Sequence, residues 1–416
     1  MCFAIARRAR HAGPRTCRVK ALHLSFFYPD EIEPVTTHAV KRLIDCADGF
    51  AENRRVSLHM FLPDDGIRVR HGAGHVVICE RLAAFPYGMR RFLTRCSALL
   101  REAVRDLREF DLVHAHMLAM EGELALDIKK RFGVRFVASV RSTDFILFRF
   151  KPYMKRRYLE IVDAAERLIL IAPWMAGALQ RAFGNDWTAE RAAKTVCVYN
   201  IVEGPERWKP VHNGRYVMPI VPHRSQLARK SVAATLRAIA TLRRAGRSIE
   251  LDIYGDGDGI DRIRRWIERY RLQHAVILKG KISNAEMIDA LSDYKALFLC
   301  SKPETFGLVY IEALKAGIPV VHMAGTGIDG VFPADTIGVV ACNRSTRALA
   351  NAFVEMERCH ADRRIAIRNL QSAGELKRFG ARAVREQLHD IYARAIEPAR
   401  VPVVDRTQKD VSREMA

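Results

Sequence analysis

The sequence has no CxxC pair, no long apolar run and no acidic residue among its first twenty positions. Its nine cysteines lie at positions 2, 17, 46, 79, 96, 197, 300, 342 and 359. Their odd number and unpaired spacing argue against a disulfide framework or a zinc site and suit a reducing cytoplasm. No apolar run is long enough to span a bilayer. Residues 1–19 lack the apolar core of a secretory signal, so we interpret them as a basic arm or as the product of an upstream start codon.

Acidic residues are too few to balance the basic ones, and the net charge is +21. Residues 1–200 hold 33 Lys/Arg against 22 Asp/Glu, and residues 201–416 hold 35 against 25, so the excess is spread along the chain. None of the usual nucleic-acid-binding motifs is present, which argues against nucleic acid as a partner. An anionic membrane surface together with an anionic substrate explains the charge at least as well.

Strand and helix patterns alternate along the chain in two runs. The first run predicts helices at 37–47 and 86–108, with strands at 20–27, 56–62, 75–79, 112–114, 136–140, 168–171 and 196–199. Residues 201–223 hold four prolines and no clear period, and they are predicted to form a linker. The second run predicts strands at 249–254, 275–278, 296–300 and 319–322, with helices at 230–244, 260–271, 284–294, 308–316 and 378–395.

Apolar strands separated by helices indicate parallel sheets that are covered on both faces. The predicted fold class is therefore α/β, with two doubly wound, Rossmann-like domains that face a cleft. In such folds the ligand lies at the carboxyl ends of the strands.

The segment 301–321, SKPETFGLVYIEALKAGIPVV, is the most informative part of the chain. It follows a buried strand and leads into a helix, whose free N–H groups and dipole can hold a phosphate. Gly307 allows a ligand to approach the backbone. Glu304 can accept hydrogen bonds from sugar hydroxyls, and Glu312 can hold a diol such as a ribose. The alternative is a solvated helix with two ordinary surface glutamates.

This string resembles the E-x7-E signature of family-4 retaining glycosyltransferases with the GT-B fold, of the cell-surface polysaccharide type. The resemblance extends to IELDIYGDGDG at 249–259, VILKGKISNAEMIDALSDYKALFLCS at 276–301, DLVHAH at 111–116, SVRSTD at 139–144 and VYNIV at 198–202. It covers residues 20–395. It implies an acceptor-side domain at 20–205, a nucleotide-sugar-binding domain at 206–380, a helix at 381–400 that returns toward the first domain, and a tail at 401–416.

The resemblance also implies roles for individual residues. The implied catalytic residues are His116, Asp144 and Glu304. The implied donor-binding residues lie in the second domain: Arg224, Lys230, Gly255, Asp256, Gly257, Ile282, Phe306, Gly307, Leu308, Val309 and Glu312.

Some of these residues have plainer interpretations. His116 could be a strand-end histidine that the backbone satisfies, Asp144 could cap the next helix, and GDGDG could be an ordinary turn. Asp256 and Asp258 do not form a convincing metal site, so no metal and no cofactor are expected.

Three departures from the family pattern leave the acceptor side open. The first loop, YPDEIEPVTTH, lacks the usual glycine pair, and Arg141 replaces the usual histidine. Lys230 is followed by serine instead of glycine and lies six positions after Arg224, where five is commoner.

The sequence thus predicts transfer of a sugar from a nucleotide diphosphate-sugar to a lipid-linked or growing cell-surface glycan. Segments 86–109 and 145–158 interleave aromatics with Arg/Lys, which predicts peripheral contact with an anionic membrane at its cytoplasmic face. A core-facing helix with a solvated basic face is the alternative for both. The rival functions are a GT-B nucleotide-sugar epimerase or hydrolase, and a non-catalytic protein that binds membranes or carbohydrates.

Overall fold

Two parallel β-sheets, each flanked by helices, make up the protein. The computed structural model describes residues 18–33, 38–83, 88–150, 152–283, 285–333 and 335–397. The predicted basic arm and tail therefore lie largely outside the described residues. No helix in these ranges is both long and apolar enough to cross a bilayer.

The first sheet has eight strands in the order β3-β4-β2-β1-β5-β6-β7-β8. Neighbouring strands are parallel except β3, which pairs antiparallel with β4 at the edge. The strands are β1 Val19–Ser25, β2 Ala51–His59, β3 Val69–Gly72, β4 His75–Cys79, β5 Leu112–Ala115, β6 Arg135–Val140, β7 Arg167–Leu170 and β8 Thr195–Cys197. The helices of this domain are α1 His38–Ala47, α2 Met89–Ala103, α3 Glu121–Phe132, α4 Ser142–Phe150, α5 Lys155–Ala164, α6 Trp174–Phe183 and α7 Ala189–Ala193, with 3-10 turns at Leu107–Glu109, Pro152–Met154 and Gly184–Asp186.

The second sheet has six parallel strands in the order β11-β10-β9-β12-β13-β14. They are β9 Tyr216–Pro219, β10 Leu251–Tyr254, β11 Val276–Gly280, β12 Ala296–Phe298, β13 Val320–Met323 and β14 Gly338–Ala341. The remaining helices are α8 Val232–Arg244, α9 Ile260–Arg269, α10 Met287–Leu291, α11 Leu308–Lys315, α12 Thr346–Ser372 and α13 Ala381–Ile396, with a 3-10 turn at Glu375–Phe379. Two Rossmann-like domains, as predicted, are thus present.

The linker prediction for residues 201–223 is wrong in its second half. Strand β9 lies there, buried at every position and paired on both sides, with β10 and β12. A strand of four residues that ends in proline carries too little periodicity to stand out in a proline-rich stretch.

Helix α13 follows the second domain in sequence but packs against the first sheet. Its residues Val384, Leu388, Ile391 and Tyr392 join a buried apolar cluster with residues of α1, β5 and β6. One face of the first sheet is therefore covered by helices from opposite ends of the chain.

The membrane interpretation of segments 86–109 and 145–158 is not supported by their packing. In α2 the apolar face, including Met89, Phe92 and Leu93, is buried in the core. In the second segment Phe148 and Tyr158 are also buried, whereas Tyr153 is exposed. Helices that lie on a membrane keep their apolar face outside the protein, so the core-facing alternative fits better.

Two basic residues of segment 145–158 have acidic partners that lie outside the segment. Lys155 lies 2.7 Å from Asp186, and Arg157 contacts both Glu123 and Glu160 at 2.6 and 2.5 Å. These partners come from other elements and from the next turn of α5. Lys151 lies outside the described residues.

Candidate active site

The candidate site lies where the carboxyl ends of the two sheets meet. Ser142, at the start of α4, places its Oγ 2.6 Å from Thr305 Oγ1 in the loop after β12. The Trp174 indole N–H donates to the Thr305 carbonyl at 3.2 Å. These contacts join the domains at the loop that carries Glu304.

Glu304 is a buried carboxylate with a fixed environment. It accepts from Lys230 Nζ at 3.0 Å and from Ser301 Oγ at 2.8 Å. Burial opposes ionisation of Glu304, but Lys230 and Ser301 outweigh it and hold the pKa below its usual value. An ammonium has three donors, so Lys230 can contact Glu304 and still reach a second anionic group.

The loop around Glu304 is held by residues that the sequence analysis did not single out. Thr326 Oγ1 accepts from the Glu304 N–H at 2.7 Å, and Gly327 N–H donates to the Glu304 carbonyl at 2.9 Å. Arg229 donates to the Pro303 carbonyl at 2.8 Å. Little in the sequence points to these residues. Arg229 merely precedes Lys230, and the AGTG turn that contains Thr326 and Gly327 begins twenty residues after Glu304.

Gly307 directly precedes helix α11 and has a φ of 75°, which is a left-handed conformation. A Cβ at this position would lie 2.5 Å from the Tyr310 ring. The following residues Leu308 and Val309 are half-buried and open the helix, where N–H groups are free for an anion. The Phe306 side chain is instead buried against Tyr199. A donor contact at Phe306 would therefore involve its backbone only.

Glu312 lies one turn into α11 and faces the first domain. Burial raises the pKa of its carboxyl to about 7, and Arg42 on α1 opposes that rise. Arg42 was not identified from the sequence, because nothing local links α1 to α11.

The GDGDG loop packs on the loop after β9, and this packing explains its glycines. A Cβ on Gly255 would lie 1.8 Å from the Ile220 carbonyl oxygen, and one on Gly259 would lie 2.3 Å from the Pro222 carbonyl oxygen. A Cβ on Gly257 would approach the same Pro222 oxygen to 3.2 Å. Only glycine allows the two loops to approach so closely.

The charged residues of these two loops bind backbone groups. Asp256 accepts from the Gly257 N–H at 2.8 Å, and Asp258 accepts from the Arg224 N–H at 2.8 Å. Arg224 Nε donates to the Asp258 carbonyl, and the side chain is otherwise exposed at the rim. Ile282 is half-buried in the loop after β11. Donor contacts by these residues remain predictions.

On the first domain, His116 follows β5 and is fully buried in a group of three histidines. Its Nε2 lies 3.0 Å from His23 Nδ1, and His23 Nε2 lies 2.8 Å from Asn53 Oδ1. The Asn53 amide nitrogen faces two acceptors, the Asp48 carboxylate and the Ile44 carbonyl, which fixes the amide orientation.

This chain of hydrogen bonds determines the tautomer of His116. Because Asn53 Oδ1 can only accept, His23 Nε2 carries the proton. Burial lowers the pKa of His23 to about 4, so the ring is neutral and its Nδ1 accepts. His116 must then donate from Nε2, which leaves a lone pair on Nδ1. That Nδ1 is buried, and among the described residues it has no hydrogen-bond partner.

The three histidines could be taken for a metal site, because one nitrogen from each lies within 4.8 Å of the others. However, His114 binds Tyr392 Oη and Ser139 Oγ, at 2.7 and 2.9 Å. In the part of the chain that the structure describes, five of the six ring nitrogens in this group thus have hydrogen-bond partners, and only His116 Nδ1 does not. The geometry fits a hydrogen-bonded group better than a set of metal ligands.

Asp144 is fully buried, and its predicted catalytic role stays a prediction. Its carboxylate accepts from the N–H groups of Arg141 and Ala119, both at 2.7 Å, and of Leu118 at 3.4 Å. Burial raises the pKa of Asp144 to about 7 against these donors. These bonds join the loops after β5 and β6. Arg141 donates from Nε to the His116 carbonyl, and its Nη2 is buried with no hydrogen-bond partner among the described residues.

Solved glycosyltransferase structures share the arrangement of two domains. Sucrose-phosphate synthase from Thermosynechococcus elongatus aligns with a TM-score of 0.62 at 18% identity, covering 90% of this chain and 98% of that one. Anabaena HepE in complex with UDP and glucose aligns with a TM-score of 0.63 at 16% identity, covering 90% and 99%.

Curated relatives are distant. A D-inositol 3-phosphate glycosyltransferase from Salinispora tropica is 24% identical over 388 residues, covering 82% of this chain and 75% of the relative. The GtfA subunit of a UDP-N-acetylglucosamine–peptide N-acetylglucosaminyltransferase from Streptococcus gordonii is 37% identical over 90 residues. That match spans only 22% of this chain and 16% of the relative.

Two family models match adjacent parts of the chain. The model of Glycosyltransferase Family 4 matches residues 39–203, and the model of Glycosyl transferases group 1 matches residues 207–372. Together they span every strand of the two sheets except β1, and the loops that carry Glu304, Glu312 and His116. The chain is therefore a glycosyltransferase with the GT-B fold, and its second domain matches Glycosyl transferases group 1.

Proposed function

We propose that the protein transfers a sugar from a nucleotide diphosphate-sugar, with retention of anomeric configuration, to a lipid-linked or growing cell-surface glycan. The observation that carries this proposal is the Lys230–Glu304 pair at the domain junction, 3.0 Å apart, beside the start of α11. Glu304 would bind the sugar hydroxyls, and Glu312 would bind the ribose. His116 Nδ1, with its free lone pair, would accept from a hydroxyl of the sugar or of the acceptor.

Lys230 and the first N–H groups of α11 would stabilise the departing diphosphate. Its negative charge grows in the transition state, so these donors lower the barrier instead of only binding the ground state. Glu304 is a poor candidate for a nucleophile, because Lys230 and Ser301 already hold one of its oxygens. Front-face attack, in which the leaving phosphate helps to deprotonate the acceptor, accounts for retention without a nucleophile.

The nature of the acceptor is supported only indirectly. Distant relatives include putative colanic acid biosynthesis glycosyltransferases, 25–27% identical over 32–38% of this chain. Peripheral attachment to an anionic membrane remains part of the proposal because of the net charge of +21. The support for membrane attachment is this overall charge and not segments 86–109 and 145–158, because most of the aromatic side chains that the structure describes in those segments are buried.

A thermal-shift screen against UDP, GDP, ADP and their sugars tests the donor assignment. A ligand at 100 times its dissociation constant stabilises the folded state by about 2.7 kcal/mol. Stabilisation by one nucleotide class is expected, and it should be lost in Lys230→Ala and Glu312→Ala while both variants remain folded. No response to any nucleotide would favour the non-catalytic alternative.

The reaction itself distinguishes the remaining alternatives. NMR of the turnover mixture with and without a lipid-linked acceptor is expected to show an acceptor-dependent product with retained anomeric configuration. Conversion of the sugar nucleotide without acceptor would indicate an epimerase or a hydrolase, and an inverted product would contradict retention.

A further inference from the structure

A cavity of about 600 Å³ lies at the domain junction, next to the loop of Glu304. Its size falls within the range of about 300–1,000 Å³ typical of small-molecule sites. Helices α4 and α6 supply an apolar wall, and the loops after β12 and β13 of the second domain close the other side. The wall consists of Phe145, Ile146, Phe148 and Trp174.

The cavity is connected to the candidate active site by shared residues. Ser142 lines the cavity and contacts Thr305, the neighbour of Glu304. Thr326 lines it too, and its hydroxyl accepts from the Glu304 N–H at 2.7 Å. A molecule in the cavity would therefore lie against the loop that presents Glu304.

Three cationic side chains at the rim distinguish this cavity from an ordinary apolar cleft. They are Arg149, Arg181 and Lys302, and all three are exposed. Among the described residues, no carboxylate lies within 4 Å of any of them, although Lys155 and Arg157 nearby are both paired. The Lys302 ammonium donates to the Ala324 carbonyl at 3.4 Å.

We infer that this cavity is a binding site for an amphiphile with an alkyl or prenyl chain and a phosphate group. The aromatic wall would hold the apolar chain, and Arg149, Arg181 and Lys302 would contact the phosphate, for which guanidinium groups are well suited. This inference rests on the proposed function, and it identifies the class of acceptor as a lipid phosphate. An acceptor seated there would present its headgroup to the Glu304 loop.

Binding of decyl phosphate below its micelle concentration tests the inference, with calorimetry and tryptophan fluorescence as readouts. We expect one molecule per chain. The double variant Arg149→Ala/Arg181→Ala should bind about tenfold more weakly, since exposed ion pairs contribute up to about fivefold each. Ala178→Trp, which fills the cavity from α6, should weaken binding to a similar degree. The matched control Arg156→Ala/Arg237→Ala removes the same charge from exposed sites outside the cavity and should change affinity by less than twofold.

Two further probes separate the sources of binding. Uncharged decyl glucoside should bind at least tenfold more weakly than decyl phosphate, and inorganic phosphate should not compete at equal concentration. Equal binding of the glucoside, full competition by phosphate, or unchanged decyl phosphate affinity in both cavity variants would each overturn the inference. Nucleotide binding is measured in the same samples. If it is normal while decyl phosphate fails to bind, only the cavity assignment falls; if no nucleotide binds but decyl phosphate does, only the proposed function falls.

Discussion

At the residue scale, neighbouring groups determine the chemistry of each candidate side chain in the cleft. Lys230 keeps Glu304 ionised despite its burial. Among the described residues no cation forms a hydrogen bond to the Glu312 carboxylate, and burial raises the pKa of that carboxyl to about 7. For His116 the decisive groups are His23 and Asn53, which direct its proton to Nε2. None of these neighbours is adjacent in sequence to the residue it controls.

Replacing His23 tests the tautomer of His116. His23→Phe removes the acceptor for His116 Nε2–H, so both tautomers become accessible, and kcat should fall about tenfold or more with little change in the KM of the donor. Ring 15N NMR should show a protonated Nε2 and an unprotonated Nδ1 for wild-type His116 and a mixture in the variant. Tyr392→Phe, which removes a partner of His114 only, is the control and should cost about 1 kcal/mol of stability without affecting kcat. A wild-type His116 protonated at Nδ1 contradicts the derivation.

The raised pKa of the Glu312 carboxyl leads us to expect that donor binding depends on pH. Because its pKa is about 7, the carboxyl is mostly protonated at pH 6 and mostly ionised at pH 8. A charged acceptor gains roughly 1 kcal/mol per hydrogen bond over a neutral one, so the sugar nucleotide should bind about fivefold more tightly at pH 8. Calorimetry at both values checks this. Glu312→Gln should bind weakly at both, whereas the same pH response in that variant would assign the titration to another group.

At the element scale, two loops that follow neighbouring strands carry several of the residues that are predicted to bind the donor. The loop after β9 carries Arg224 and Lys230, and the loop after β10 is GDGDG. They approach so closely that the Gly259 N–H donates to the Pro222 carbonyl at 2.6 Å, and they exchange further hydrogen bonds between Arg224 and Asp258. The position of Lys230 thus depends on a glycine nearly thirty residues away.

Gly259→Ala should disrupt this contact. Gly259 has φ −91°, so alanine is permitted by the backbone and the cost comes from the clash, typically about 1–3 kcal/mol. We expect a lower melting temperature and loss of nucleotide stabilisation in a thermal-shift assay. Gly72→Ala, where the nearest atom is 3.7 Å away, is the matched control. Normal nucleotide binding in Gly259→Ala would show that the loops are independent.

The same loops predict that activity does not require a divalent cation. Asp256 and Asp258 accept from backbone N–H groups, and Lys230 with the start of α11 can hold the diphosphate. Turnover in EDTA should therefore remain within about twofold of the untreated rate. Loss of activity that Mg²⁺ or Mn²⁺ restores would contradict this expectation.

Sequence patterns located most elements but not all of their boundaries. Strand His75–Cys79 was predicted at its exact limits, because it is a short β-branched run. Strand β9 was missed in a proline-rich stretch, and β3, β14, the helices α3 to α7 and α12 were not singled out. The donor-side string 301–321 could be recognised because its residues are consecutive. The hydrogen bonds among the three histidines, and the contributions of Arg42 and Arg229, could not be recognised. They depend on contacts between elements that are distant in the sequence.

At the scale of the whole molecule, catalysis requires both domains to contribute to one cleft. At this junction Ser142 and Trp174 of the first domain form polar contacts with the Thr305 loop, and the Phe306 ring stacks on Tyr199 of the first domain. Domain interfaces of this kind permit relative motion, so their strength should influence how often the cleft is competent to bind donor.

Ser142→Ala tests this connection. Loss of the hydroxyl pair, worth about 1 kcal/mol, should shift the domains toward an open arrangement and weaken donor binding about fivefold. Calorimetry and the radius of gyration from small-angle scattering measure the two effects. Ser97→Ala removes a buried hydroxyl that binds Asp127 within the first domain and should change neither. An unchanged radius and affinity in Ser142→Ala would show that other contacts hold the domains.

The return of α13 to the first sheet has a consequence for synthesis on the ribosome. The second domain is built from one continuous stretch, whereas the first lacks the cover of α13 until residues 381–396 have emerged. Through most of translation the nascent chain would expose the apolar face beneath that helix, including Leu43, Val137 and Ile169. Such surfaces recruit chaperones or aggregate. We therefore expect the nascent first domain to depend on chaperones until α13 is released, although it leaves the ribosome before the second domain.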